Sequence, residues 1–328
     1  MSASDKKIGI KLRTILIPFI IVIVLILFFP YWFTSYSFRG INFSQTGNIG
    51  DTIGGILGPF IAIAAAILTF FAFWVQYKAN EQQKLDLKIE RFENKFFELL
   101  KFHKENVNEL TLGENLKGRK TFVLLSNELR TCYKVCEEVI TQSDRYANIN
   151  IMKFSYMIFF YGIGEQSEEY YTKDFDEIEK EVFGAIKVTL LLGQEHYNKN
   201  LKNPCNFFLD ISLEIFYLPF NGHVSKLSHY YRNLFQSAKY VTEQDETLFN
   251  DDQKYDYLKI LRAQLSEHEQ LLMYYNAISW FDSEWKELFT KYRLIKNLPI
   301  PLANFHDSPL IHYSDEIEKY KDKKIFHG

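Results

Sequence analysis

The chain has 328 residues, with 38 Lys and Arg against 41 Asp and Glu, and a formal net charge of −3. The first 51 residues carry +3, so the remainder carries −6, and nucleic acid is not an expected partner of such an acidic domain. Three cysteines, an odd number, argue against a disulfide scaffold and predict reduced thiols in a cytosolic domain.

Two uncharged apolar runs lie within residues 1–77. Predicted spans cover about residues 14–33 and 53–75, and each is long enough to cross a bilayer core as a helix. The first run is longer than the apolar region of a signal peptide and ends in bulky aromatic residues, so we interpret it as an uncleaved anchor. Residues 1–77 are therefore predicted to form a two-helix transmembrane hairpin in the lipid bilayer.

The charges around the two runs predict an orientation. Lys and Arg precede the first run and follow the second, whereas the connecting loop carries only Arg39 and Asp51. Since Lys and Arg favour the cytoplasmic side of a membrane, both termini and the main domain are predicted to be cytoplasmic.

Small residues recur at every fourth position of the second span. This spacing places them along one stripe of a helix, where they let a second helix approach closely in lipid. Packing against the first span and packing against another copy of the chain both fit, but the first span has no matching stripe. A homo-oligomer is therefore expected alongside the hairpin. The stripe consists of Gly50, Gly54, Gly58, Ala62 and Ala66.

Residues 78–112 are predicted to form a juxtamembrane helix. Phe92, Phe96, Leu99 and His103 belong to a heptad-like seam on it. This seam fits a coiled coil between chains or one helix packed on the cytosolic domain, and its aromatic residues favour the second. We interpret His103 as a satisfied core histidine rather than a catalyst.

Residues 113–298 are predicted to form a cytosolic, all-helical bundle, followed by an irregular tail at 299–328. The predicted fold class is thus all-α: a transmembrane hairpin, a long juxtamembrane helix and a helical-bundle domain. Two long helices are predicted at 224–241 and 255–280, from the spacing of their apolar residues.

A polar stripe lies on each of these two long helices. We expect the loop between the helices to bring the stripes together, with Glu269 pairing with a buried Arg262. The stripes fit a solvated face or structural network, a pocket that senses a ligand or partner, or, least well, a catalytic site. The residues are His229, Arg232, Gln236, Arg262, Ser266, Glu269 and Asn276.

No motif of a known enzyme class occurs in the chain. Walker A, GxGxxG, HExxH, GxSxG and paired CxxC patterns are absent, so no catalytic residue, cofactor or metal is predicted. A helical nuclease that uses His103 and Asn106 beside Arg232 stays open as an alternative.

Several short motifs resemble those of the putative phage abortive infection family, the AbiC-like two-span membrane proteins. Together they extend over most of residues 45–298. They are Tyr-Tyr-Arg-Asn-Leu at 230–234, Leu-Arg-Ala-Gln-Leu-Ser at 261–266, Tyr275-Asn276, the glycine-rich stretch at 50–59, and Phe-Phe-Glu-Leu-Leu at 96–100 with His103 and Asn106.

The resemblance implies bacterial antiphage defence and carries no settled chemistry. The favoured hypothesis is an effector of the bacterial inner membrane: the cytosolic domain senses a phage-derived trigger or another defence component, and the hairpins assemble to disrupt the membrane. The alternatives are a membrane-tethered nuclease or RNA-directed toxin, and an anchored scaffold that recruits another defence protein.

Overall fold

The computed structural model describes residues 49–113, 116–199, 205–207, 211–213 and 217–320, with isolated helical positions between 17 and 31. The chain divides into two compact units, Met1–Asp86 and Leu87–Gly328. Most of the predicted first span, the loop after it and the last eight residues lie outside the described residues.

The first helix, α1, covers Ile49–Glu109 and continues through Pro59. The prediction of a helix at 53–75 agrees with it, and this is the one described helix that is long and apolar enough to cross a membrane. Within unit Met1–Asp86 none of its most apolar segment is buried. The other half of the predicted two-helix hairpin falls largely outside the described residues.

The last turns of α1 pack inside the second unit. Phe92 and Phe96 are buried, and the Phe92 ring lies 5.1 Å from that of Tyr240 and 4.5 Å from that of Phe249. The seam therefore packs on the helical domain of its own chain, as its aromatic content favours. The boundary between the units falls after Asp86, inside the predicted juxtamembrane segment 78–112.

The second unit is built almost entirely of helices, so the all-α prediction is confirmed. Two short antiparallel pairs accompany them: β1 (Thr111–Leu112) with β2 (Leu116–Lys117), and β3 (Cys205–Phe207) with β4 (Ile211–Leu213). The longer helices are α2 (Lys120–Thr141), α3 (Ile151–Tyr161), α4 (Glu165–Tyr171), α5 (Glu177–Lys199), α6 (Val224–Thr242), α7 (Asp251–Arg262), α8 (Glu267–Asn276) and α9 (Asp282–Thr290).

The core forms around α2, which packs against α3, α5 and α8. Its apolar side chains recur at helical spacing and include the buried Phe122, Leu125 and Leu129. Cys132 and Cys136 are free and fully buried, and burial raises the pKa of Cys136 to about 12. Neither thiol forms a disulfide in the part of the chain that the structure describes.

The predicted helix at 255–280 is wrong, because the chain breaks after α7. Ser266 caps α8: its backbone N–H donates to Glu269 Oε2 at 2.7 Å, and its hydroxyl accepts from the Glu269 N–H at 3.3 Å. This reciprocal capping box begins a new helix. The helix at 224–241 agrees with α6 to within one residue.

The segment after α8 also departs from prediction. Residues Ala277–Phe281 form a π-helical turn that leads into α9. The tail, predicted to be irregular, contains a 3-10 turn at Ile300–Ala303 and two short helices, α10 (Pro309–His312) and α11 (Ser314–Tyr320). Ala303 and Tyr313 are buried and tie this segment to the core.

Candidate functional site

An aromatic cleft of about 450 Å³ opens on the second unit between α3, α6 and the chain from the end of α8 to α9. Its volume lies in the range of small-molecule sites, about 300 to 1,000 Å³. Seven of its lining residues are aromatic. The cleft is lined by Phe160, Tyr161, Ser228, Tyr231, Arg232, Phe235, Asn276, Trp280, Phe281, Glu284 and Trp285.

The π-helical turn supplies two adjacent aromatic side chains of this cleft, Trp280 and Phe281. The Trp280 ring is held edge-on by Phe160, 5.3 Å away, and by Tyr156, 5.0 Å away. Phe281 remains 45% exposed, so its ring is accessible at the mouth. Short π-helical turns occur frequently at functional sites. This turn places the Trp280 and Phe281 rings at the cleft.

Two charged side chains stand at the cleft, and both are exposed. Arg232 of α6 forms no hydrogen bond or ion pair with any residue in the part of the chain that the structure describes. Glu284 accepts a hydrogen bond from the neighbouring Ser283 hydroxyl at 2.7 Å. The cleft thus offers one free guanidinium and one accessible carboxylate beside aromatic walls.

Two further polar side chains of the cleft, Tyr231 and Asn276, interact with the buried Tyr156 hydroxyl. The buried Tyr156 hydroxyl donates to the Tyr231 hydroxyl at 3.1 Å, and Tyr231 in turn donates to the Leu272 carbonyl at 3.4 Å. Asn276 is buried and interacts with the Tyr156 hydroxyl. Burial raises the pKa of both tyrosines, which keeps them neutral donors.

The structure brings together only part of the predicted polar stripes. Arg232 and Asn276 line the cleft, whereas His229 and Gln236 are exposed and do not line it. The predicted pairing of Arg262 with Glu269 is wrong. The Arg262 guanidinium donates to the Arg293 carbonyl at 2.6 Å, because the break before Ser266 removes Glu269 from the face that carries Arg262.

Glu269, in the first turn of α8, lies instead at the centre of a buried polar cluster. Besides the Ser266 N–H, its carboxylate accepts a hydrogen bond from the Tyr230 hydroxyl at 3.2 Å. The half-exposed Arg119 places Nε 3.6 Å from Oε2. His103 Nε2 lies 3.8 Å from Oε1, which is too far for a hydrogen bond. Glu269 therefore joins α1, the start of α2, α6 and α8.

His103 is a core residue without the partners we expected. Its side chain is 1% exposed, and neither ring nitrogen has a hydrogen-bond partner among the described residues. Burial, assisted by the positive charge of Arg119, lowers the pKa of His103 to about 4. The His103 ring is thus neutral near neutral pH. Protonating it in the folded state is unfavourable, because a buried charge without a hydrogen-bond partner loses its hydration.

The buried His103 predicts a loss of stability on acidification. Its pKa falls from 6.5 in the unfolded chain to about 4 in the folded one, so its contribution is complete above pH 6.5 and is lost as the pH falls. Between pH 6.5 and about pH 5 we expect a loss of about 2 kcal/mol. Denaturant unfolding of the full chain in detergent at several pH values measures this slope.

The matched variants are His103→Leu and His229→Leu. His103→Leu should flatten the stability profile in this window, whereas the exposed His229→Leu should keep the wild-type slope. Equal slopes for wild type and His103→Leu would show that His103 titrates normally in the folded state.

A second buried carboxylate, Glu128 on α2, was not predicted. Oε1 accepts from the Phe220 N–H at 2.7 Å, Oε2 lies 2.9 Å from His223 Nε2, and the Tyr217 hydroxyl also donates to it. Burial raises the pKa of Glu128, but the charge of His223 and these hydrogen bonds outweigh burial and lower it overall. Glu128, Tyr217 and His223 are all buried. Their hydrogen bonds anchor the segment before α6 to α2.

The proposed nuclease residues do not share one open site. His103 is buried beside Glu269, whereas Arg232 lies at the exposed cleft, which His103 does not line. Among the described residues no group of three His, Cys, Asp or Glu side chains is placed to hold a metal ion.

Comparison with known families gives one match, to the family described as putative phage abortive infection protein, putAbiC, over residues 222–302. These residues supply α6 to α9 and nine of the eleven residues that line the cleft. No curated protein and no solved structure matches the chain. The matched domain supports a general role in antiphage defence. Residues 222–302 of the chain are therefore similar to the domain that defines the putative phage abortive infection protein family.

Proposed function

We propose that this protein is a membrane effector of abortive infection. The family domain responds to infection, and the N-terminal hairpin assembles with other copies to disrupt the bacterial inner membrane. The observation that carries the proposal is that one chain combines the antiphage family domain at 222–302 with a long apolar helix, α1.

The surface of α1 within unit Met1–Asp86 supports a lipid partner. Phe60, Phe70 and Phe73 are each more than 60% exposed, and no part of the most apolar segment is buried. A contiguous apolar surface of this extent is unfavourable in water, at roughly 25 cal/mol per Å², and typical of a membrane segment. Where the apolar run ends, Lys78 Nζ lies 5.5 Å from the centre of the Trp74 ring. Such a pairing suits the membrane interface.

The stripe of small residues supports self-association. A Cβ at Gly54 or Gly58 would meet no described atom within 4 Å, and Ala62 and Ala66 are exposed. This face is thus open to a second copy of α1 or to the first span. Close backbone contact is what drives helix association in lipid, because lipid already solvates apolar side chains.

The polar cluster around Glu269 offers a route from the family domain to α1. His103, on the part of α1 inside the second unit, lies beside Glu269 of α8 without a hydrogen bond to it. A movement of α8 by less than 1 Å toward His103 would create that bond. We propose that infection shifts α8 and that this contact transmits the shift to α1.

The experiment that tests the proposal follows membrane potential and RNA integrity in the same infected cells. We expect the potential to collapse before phage release while RNA stays intact, and uninfected cells that express the protein to keep their potential. RNA cleavage in fully polarised cells would contradict the effector and support the nuclease. Protection with both potential and RNA intact would support the scaffold.

A further inference from the structure

We propose that the aromatic cleft binds a nucleoside monophosphate. The inference deepens the proposed function, on which its biological meaning rests, by naming the class of small molecule to which the family domain responds. It is carried by the aromatic walls of the cleft, its single free guanidinium and its single accessible carboxylate.

The base is assigned to the aromatic walls. Trp280 is fixed edge-on by its neighbours, and the adjacent Phe281 leaves 45% of its surface exposed at the mouth. The partly buried Phe235 of α6 also lines the cleft, with its ring 5.1 Å from that of Trp285. Rings held in this way form a stacking surface that accepts any planar base, and each stacked base gains about 1 to 3 kcal/mol.

The phosphate is assigned to Arg232. Its guanidinium is exposed, lines the cleft and has no partner in the part of the chain that the structure describes. A guanidinium binds a phosphate through two parallel hydrogen bonds, which a lysine cannot reproduce. An unpaired arginine beside aromatic rings therefore matches a ligand that joins a base to an anion.

The carboxylate of Glu284 limits the charge of that ligand. It lines the same cleft, where it suits the hydroxyls of a ribose, since carboxylates accept hydrogen bonds from sugar diols. It also repels negative charge on the ligand. A triphosphate carries more negative charge than a monophosphate, so it should bind more weakly.

The test is calorimetric titration of the purified full-length protein in detergent with AMP, adenosine, inorganic phosphate and ATP. We expect AMP to bind at least about tenfold more tightly than adenosine, phosphate or ATP, since a hydrogen bond to a charged group contributes about that factor. Glu284→Gln should reduce the difference in affinity between AMP and ATP, because the substitution removes the repelling carboxylate.

Two substitutions separate the base from the phosphate. Arg232→Ala should lower the affinity for AMP about tenfold or more and leave the affinity for adenosine unchanged. Phe281→Ala should lower the affinity for both ligands at least about fivefold. The control Lys226→Ala removes an exposed positive charge from the same helix, α6, outside the cleft, and should change AMP affinity less than about twofold.

Several results would overturn the inference. They are the absence of heat with AMP at millimolar concentration, phosphate binding as tightly as AMP, and equal losses for Arg232→Ala and Lys226→Ala. These measurements use purified protein, so they stand apart from the antiphage role. If the wild-type protein does not bind AMP, the proposed antiphage role still stands on its own test; if the antiphage role fails its test, AMP binding can still be measured.

Discussion

Leucine at both Gly58 and Ala62 is expected to abolish protection against phage while α1 still inserts into the membrane. Both changes raise apolarity, so insertion should persist, but the larger side chains hold a neighbouring helix away from the small-residue stripe. In the structure Gly58 and Ala62 are exposed, and a Cβ at Gly58 would meet no described atom within 4 Å, so no described neighbour opposes the change. We expect plaque numbers to return to those of unprotected cells, cross-linking between chains to fall, and infected cells to stay polarised.

The matched control is Ala64→Leu, which adds the same volume about 200° around the helix from Ala62. This variant should protect like the wild type. Protease mapping must show the same topology for all variants, because the first span is the other candidate for the same face. Full protection by the double leucine variant, with membrane depolarisation, would remove the stripe from the mechanism. Toxicity with an intact potential would favour the nuclease alternative.

The overall class of this fold follows from local patterns in the sequence. The uncharged apolar run at 53–75 is long enough to cross a bilayer core as a helix, and the regular spacing at 224–241 yields α6 almost to the residue. The seam at Phe92 and Phe96 is buried because aromatic side chains in such a register need a partner surface. Each of these features depends on neighbours within a few turns, which a sequence pattern records.

The sequence also contains a signal for the break between α7 and α8. Ser266-Glu267-His268-Glu269 has the spacing of a capping box, but the continuous apolar pattern on both sides favoured one long helix. A stripe through Arg262 and Glu269 requires that single helix. At this position the capping box outweighs the uninterrupted apolar periodicity.

The candidate site was only partly predictable. Arg232 and Asn276 belonged to the predicted stripes, but the cleft also needs Phe160 from α3 and the π-helical turn, neither of which a local pattern reveals. The Glu128 cluster is a tertiary arrangement too: Tyr217 and His223 lie 89 and 95 residues away along the chain. Burial of a carboxylate cannot be read from a helix whose polar residues otherwise suit a solvated face.

Glu269→Ala is expected to lower the free energy of unfolding of the second unit by about 3 kcal/mol. The substitution leaves the buried Tyr230 hydroxyl without its acceptor and removes half of the capping box with Ser266. Arg119 contributes little to this loss, because its side chain is 54% exposed and water screens its charge. Denaturant unfolding of the full chain in detergent, followed by tryptophan fluorescence, measures the change.

Glu267→Ala supplies the matched control, because it removes an exposed carboxylate from the first turn of the same helix. It should cost no more than about 0.5 kcal/mol. Glu269→Gln should fall between the two, since its amide oxygen still accepts from the Ser266 N–H. If Glu269→Ala were as stable as Glu267→Ala, the buried cluster would not hold α1 against α8. The proposed route from the family domain to the membrane helix through His103 would then lose its physical basis.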